Sequence, residues 1–495
     1  VGGSTKVPSA ASFDNIRRCA ALDVEYADPG STPFDGGIVT IGNSVMSADA
    51  TYALESAVKF HLRRKDIPNA ALAVVSGDGR LVYAKGFTNR DAYDLAQEDV
   101  YFAGENTRFR IGSISKVLTG VATLRAMELG LFGPDLLNAR VSEFVDLTSV
   151  PRAFEGLLSA NPDLLDIRIR HLLLHTAGWV RDTADTDRDG FVDGVYPPVS
   201  VASTSSLRPG YDFTSELAYS ASASRSTYPV TPDHLTRFAN VWPLSWTPGD
   251  RVCYSNYGYF LLGRVIEGAS CRSYESFVRE YVLAPALMAD AMIGATPRSQ
   301  RAVREVPYYT EHWPWESAGW KPVEWQSVID GSDVTDADLP SDYKPYAQRD
   351  VRLAAAPGGW IASVRDMARF CQDLFVGPSN VLSPTGLYYA TLRAVSTAAD
   401  GSSGWTFAGL GSGTGTSGST GETFDIYDKS GHALGAAAYL WSAGPSSRPY
   451  AKASFVLLLN RSWSDVQVAE GDLVDSLAHV IRNLGSSGWG TGDLF

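Results

Sequence analysis

Arg110-Ile-Gly-Ser-Ile-Ser-Lys116 is the stretch on which the reading of this chain turns. From Ser113 onward the apolar residues Ile114, Val117, Leu118, Val121 and Leu124 recur at helical spacing, and Gly130 marks the end of the run. Ser113 therefore stands at a helix start, where backbone N–H groups and the helix dipole favour negative charge on an oxygen. Lys116 lies three residues on, so both side chains share one helix face. A lysine whose proton affinity is lowered by burial or nearby positive charge can take the proton of such a serine. Taken alone, Ser-x-x-Lys is short and common, and a plain helix cap followed by a solvated lysine explains it better.

Two further stretches change that balance. Trp246-Thr-Pro-Gly-Asp-Arg-Val-Cys-Tyr-Ser-Asn256 brings Tyr254 and Asn256 to one side of a short loop, ahead of a helix at Tyr257–Glu267. A phenol near a cationic lysine can shuttle protons, and an amide can hold a substrate carbonyl. Asp428-Lys-Ser-Gly-His-Ala-Leu-Gly435 reads as a strand. There Lys429 adds positive charge, and the small residues Ser430 and Gly431 let a substrate lie along the strand edge. Each stretch by itself is equally a buried tyrosine beside a cap, or an ordinary strand end.

Together, and in this order, Ser113/Lys116, Tyr254/Asn256 and Lys429/Ser430/Gly431 make the sequence resemble the serine β-lactamase and penicillin-binding protein superfamily, in its class C β-lactamase, DD-peptidase and esterase branch. His171-Leu-Leu-Leu-His-Thr-Ala-Gly178, Trp246 to Gly249 and Pro357 to Phe370 add to the resemblance, which runs over about residues 50–485. It implies an α+β fold, an antiparallel sheet flanked by helices facing an all-helical part, with the site between them. It also implies Ser113 as the acylated nucleophile, Lys116 as its base and Tyr254 as the proton carrier to the leaving group. Asn256 orients substrate, Lys429 sets the field or meets a substrate carboxylate, and the N–H groups of Ser113 and His432 form an oxyanion hole. Many esterase relatives carry His-x-Gly at the third motif, so a register on His432 competes with that on Lys429; the Lys429 register is preferred because it puts Gly435 and Tyr439 where the family has a glycine and an aromatic.

The expected activity is that of a serine hydrolase acting on an ester or amide without a catalytic cofactor. The intact Lys-Ser-Gly leans towards a carboxylate-bearing or peptide-like tail, such as a D-amino-acid peptide, with β-lactam-like compounds and carboxylic esters as the other expected substrates. A transpeptidase or peptide cyclase using the same site, or a non-catalytic binding protein on this fold, are the rivals.

Composition agrees with a small-molecule or peptide enzyme. Lys+Arg 42 against Asp+Glu 55 leaves a formal charge of −13, with no basic stripe to replace phosphate counterions, which argues against a nucleic-acid partner. No run reaches the roughly 20 apolar residues of a membrane span. The expected organisation is an N-terminal extension over 1–48, a catalytic unit over 49–485 and a tail over 486–495. In the unit, an α/β part covers about 49–130 and 351–485, and a helical part covers 131–350 with insertions at 180–240 and 305–350. The Gly/Ser/Thr-rich residues 396–423 read as a mobile loop. Four cysteines allow at most two bridges, but Cys253 and Cys271 flank a helix about 24 Å long and so are not expected to pair. A secreted or periplasmic location is expected.

Within the first insertion, Asp185, Asp187, Asp189 and Asp193 with Gly190 at the sixth place follow the layout of a calcium loop, Phe191 offering its carbonyl. Tyr196 replaces the usual twelfth-position Glu, which weakens a structural calcium site. His171 and His175 lack the Glu of a zinc protease helix and read as structural turn histidines.

Overall fold

In the computed structural model, the apolar run Asn-Ala-Ala-Leu-Ala-Val-Val forms strand β2 (Asn69–Val75), buried along its whole length. The residues described are 37–93, 100–147, 162–179, 232–237, 244, 246–295, 300–309, 351–397, 403–416, 421–433, 435–447, 452–461, 466–484 and 486–495. A strand covered on both faces reads as a continuous apolar run rather than an alternating one. β2 pairs with β3 (Leu81–Asn89) on one side and, on the other, with β12 (Ala453–Leu459) from the far end of the chain.

These strands are the middle of an antiparallel sheet of order β1-β3-β2-β12-β11-β10-β9-β8-β7. It is completed by β1 (Ile38–Ser44), β7 (Arg393–Ser396), β8 (Ser403–Thr406), β9 (Gly411–Thr416), β10 (Thr423–Ala433) and β11 (Ala436–Pro445). Leu72, Val74, Phe455 and Leu457 face helices α1 (Ala48–Arg64) and α7 (Val466–Arg482). Ala71, Ala73, Val456 and Leu458 face the opposite core. That core is filled from α2 (Ser115–Glu128), α4 (Asn256–Ser270) and α5 (Val364–Phe375). The α+β expectation therefore holds. Between the sheet and the other helices, α2 is buried on nearly every side, so that even its polar residues Lys116, Thr119 and Thr123 are enclosed. A small sheet, β4 (Phe109–Arg110), β6 (Trp360–Ala362) and β5 (Met292–Ile293), ties the start of α2 to the 360 region.

Several expectations change. The stretch read as a mobile loop, 396–423, contains β8 and β9, which extend the sheet beyond β10. Gly, Ser and Thr show no apolar alternation, yet small residues suit strands crossed by large neighbours: the Phe424 ring occupies the space a Cβ on Gly415 would need. Ile38–Ser44, inside the stretch read as an extension, pairs with β3 from Ile38↔Asn89 to Ser44↔Tyr83. The C-terminal residues also dock, Leu494 N donating to Leu81 O at 2.9 Å and Leu81 N donating to Asp493 Oδ1 at 3.0 Å.

Ser363 caps α5 by accepting from Asp366 N at 3.1 Å, and the Asp366 carboxylate accepts from Asp290 N at 2.8 Å. Asn460, in a glycosylation sequon, is fully buried and hydrogen-bonded to Asn69 and Pro307, so its amide offers nothing to a glycosyltransferase in the folded state. Cys253, Cys271 and Cys371 form no disulfide, and helix α4 separates the first two. Among the described residues no helix is long and apolar enough to cross a membrane. The acidic loop Asp185, Asp187, Asp189, Phe191, Asp193 lies outside the described residues, as does 310–350.

Candidate active site

Ser113 sits in a single 3-10 turn, Gly112–Ile114, that runs directly into α2. Lys116 is on the first turn of that helix, fully buried, and its Nζ lies 3.1 Å from Ser113 Oγ. The same nitrogen is 2.6 Å from Asn256 Oδ1 and 2.7 Å from the carbonyl oxygen of Pro357. Asn256 is the first residue of α4, whose cap Ser255 accepts from Gly258 N at 3.0 Å. Three chain segments far apart in sequence thus converge on one amine.

Tyr254 precedes that cap. Its ring lies 4.4 Å from the His175 ring, centroid to centroid, and His175 in turn accepts from Ser255 N through Nδ1 at 3.1 Å. The backbone repeats the tie, Cys253 N donating to His175 O at 2.7 Å. His175 adopts φ 59°, a left-handed conformation uncommon for a side-chain-bearing residue, fixed here by contacts on both sides. The Lys116 and Lys429 side-chain nitrogens lie 4.9 and 4.8 Å from the centre of the Tyr254 ring, so an amine faces the phenol from each side.

On β10, alternate residues face opposite ways. Lys429 is 4% exposed and lies in register with Leu440, on the face that carries the helical core. Gly431 follows on the same face. Ser430 and His432 face the other way, and His432 Nε2 meets Tyr439 Oη at 2.9 Å. Of the two competing registers, the structure brings Lys429 to Tyr254 and turns the His432 imidazole away, leaving only its backbone near Ser113. β9 pairs with β10 as far as Asp428↔Gly411, and from Lys429 onward no described strand covers that edge.

The approach of β10 to the serine turn is close. A Cβ on Gly431 would overlap the Ile111 carbonyl oxygen and lie 2.8 Å from Ser113 N, and one on Gly112 would lie 2.7 Å from His432 N. The backbone nitrogens of Ser113 and His432 are therefore brought close together. If the Ser113 and His432 N–H groups are the oxyanion donors that the family resemblance implies, Gly431→Ala is expected to push the strand from the turn and lower kcat/KM by about 10²- to 10³-fold. Steady-state kinetics alongside circular dichroism would separate this from unfolding.

Two contributors were missed at the sequence level. Trp405 on β8 has its ring centre 4.3 Å from Lys429 Nζ. It is the only large side chain in Ser403-Gly-Trp-Thr406, and that isolation is the signal that could have found it. His175 was noticed but read only as a turn residue. Its neighbour His171 also has a measurable consequence. Burial first, then Arg170 and Arg168, lower its pKa to about 4. A folded-state value below the ordinary 6.5 means that the folded protein binds fewer protons in that window, so stability present above about pH 6.5 is lost as pH falls towards 4. His171→Gln, which keeps an acceptor near Arg168 N, is expected to shrink the drop in Tm between pH 7 and pH 4.5.

Among the described residues no group of three or more His, Cys, Asp or Glu could hold a metal ion. Tyr259, beneath Lys116, donates to Leu173 O at 3.0 Å, and burial holds its phenol far above the usual tyrosine range.

Known proteins bear on this geometry. Esterase EstB of Burkholderia gladioli is 28% identical over 235 residues, 46% of this chain and 48% of its own. The chain spans less than half the length of the first curated relatives it matches. In fold, it is similar to a D-amino acid amidase from Ochrobactrum anthropi SV3 (TM-score 0.56, 17% identity, 88% of this chain and 99% of that one). It is also similar to an octameric penicillin-binding protein homologue from Pyrococcus abyssi (TM-score 0.53, 20% identity, 87% and 80%). The family model described as Beta-lactamase matches residues 54–478, nearly the whole of the described fold, and the chain belongs to the Beta-lactamase family.

Proposed function

We propose that this protein is a serine hydrolase that cleaves an ester or amide through an acyl-enzyme on Ser113. The observation that carries the reading is that Asn256 Oδ1, Pro357 O and Ser113 Oγ all lie within hydrogen-bond distance of Lys116 Nζ. A neutral amine has two N–H donors and one lone pair. When those donors go to the two carbonyl oxygens, the lone pair is left for the serine hydroxyl. Lys116 takes the hydroxyl proton as Oγ bonds to the substrate carbonyl carbon. The oxygen of the resulting tetrahedral centre receives hydrogen bonds from the Ser113 and His432 N–H groups. Collapse breaks the bond to the leaving group, which leaves with a proton passed through Tyr254. Water then attacks the acyl-enzyme, losing its proton to the same machinery, and Ser113 is regenerated. The open edge of β10 beyond Asp428 aligns the substrate.

Intact mass after incubation with a fluorophosphonate tests this reading. One adduct, mapped to the peptide containing Ser113, is the expected result. No adduct, or an adduct elsewhere, would overturn it.

A further inference from the structure

A substrate carboxylate needs a cation that it can approach. Among the described residues Lys429 is in position to supply one, and it is covered. Its side chain is 4% exposed, and the aromatic rings of Trp405 and Tyr254 lie 4.3 and 4.8 Å from its Nζ. Ser113 and Tyr254, in contrast, are both partly exposed. Ring faces stabilise an ammonium electrostatically, so the charge of Lys429 is met from within the protein.

Trp405 is held in this place. Its ring packs edge-on against His175 at 5.2 Å and lies 6.0 Å from Tyr254. Moving the indole aside would disturb the histidine that anchors the Tyr254 loop. A carboxylate entering the site would therefore lose its hydration and find the ammonium already faced by carbon. A neutral ester or amide has no such penalty.

We infer that Trp405 screens Lys429 from substrate, and that the site selects acyl donors with no free carboxylate beside the bond to be cleaved. This rests on the Ser113 acyl-enzyme reading and narrows its substrate class to neutral esters and amides. It reverses the lean towards carboxylate-tailed peptides that Lys-Ser-Gly suggests by itself. Lys429 then acts on the Tyr254 phenol, and Trp405 is a specificity residue.

The test compares two aryl esters of one acyl group, identical except for a meta-carboxylate on the phenol leaving group, each rate normalised to hydroxide hydrolysis. Wild type is expected to favour the neutral ester by about tenfold or more in kcat/KM. Trp405→Ala, which uncovers Lys429, should bring the two esters to within about threefold, whereas Trp405→Phe should keep the preference. A wild-type enzyme that handles the carboxylated ester as well or better would overturn the inference. So would an active Trp405→Ala with an unchanged ratio. The wild-type comparison stands even if the alanine variant does not fold. Fluorophosphonate titration accompanies each assay. Full labelling of Ser113 with a carboxylate preference overturns only the substrate class, whereas no labelling overturns the acyl-enzyme reading and this inference with it.

Discussion

Ser113→Ala is expected to lower kcat/KM by about 10⁴-fold or more, a loss on the order of 5 kcal/mol of transition-state stabilisation. The change removes one oxygen from a partly exposed turn, so the fold should be untouched and Tm should stay within a few degrees of wild type. What remains would be the contribution of the proposed N–H pair from Ser113 and His432, which would still polarise a bound carbonyl when no nucleophile is present. Residual turnover above the uncatalysed rate, with no fluorophosphonate adduct, is therefore the expected pattern. Full activity in this variant would remove Ser113 from the chemistry altogether.

Lys116→Met should fall nearly as far, by about 10⁴-fold in kcat, because residues that act as a unit lose almost everything when either is removed. Methionine fills the channel that the lysine stem occupies. The buried amine disappears, and Asn256 Oδ1 and Pro357 O lose a donor. Relief of amine desolvation and loss of two hydrogen bonds oppose each other, so stability should move by only about 1–3 kcal/mol. The informative readout is the rate of fluorophosphonate labelling: Ser113 is still present, and slower labelling reports its activation directly. Combining both substitutions should cost little more than either.

What could be read in advance depended on how local each interaction is. Ser113 and Lys116 are three residues apart on one helix, so their contact follows from helical geometry. The helix Val364–Phe375 is equally local, since its cap Ser363 and its first turn lie within one short segment. Tyr254, Asn256 and Lys429 could be gathered only through their order along the chain and the family resemblance that order carries. Trp405 was out of reach because its place against Lys429 is set by strand pairing within a stretch lacking any apolar alternation. The same lack concealed β8 and β9, whose burial comes from Phe424 and other neighbours rather than from their own side chains. The anchoring of Tyr254 by His175 depends on a left-handed backbone angle that no residue type announces.

The central pairing of β2 with β12 also has a consequence in time. Asn69 donates its backbone N–H to the side chain of Asn460, 391 residues later. At about 5–20 residues per second, a ribosome needs roughly 20 to 80 s to make the strand that β2 is waiting for. During that interval the hairpin Asn69–Asn89 carries an apolar edge that nothing yet made can cover. Nascent chains of this protein should therefore be clients of holding chaperones for most of their synthesis, and a stalled ribosome should release an aggregating fragment rather than a partly active enzyme.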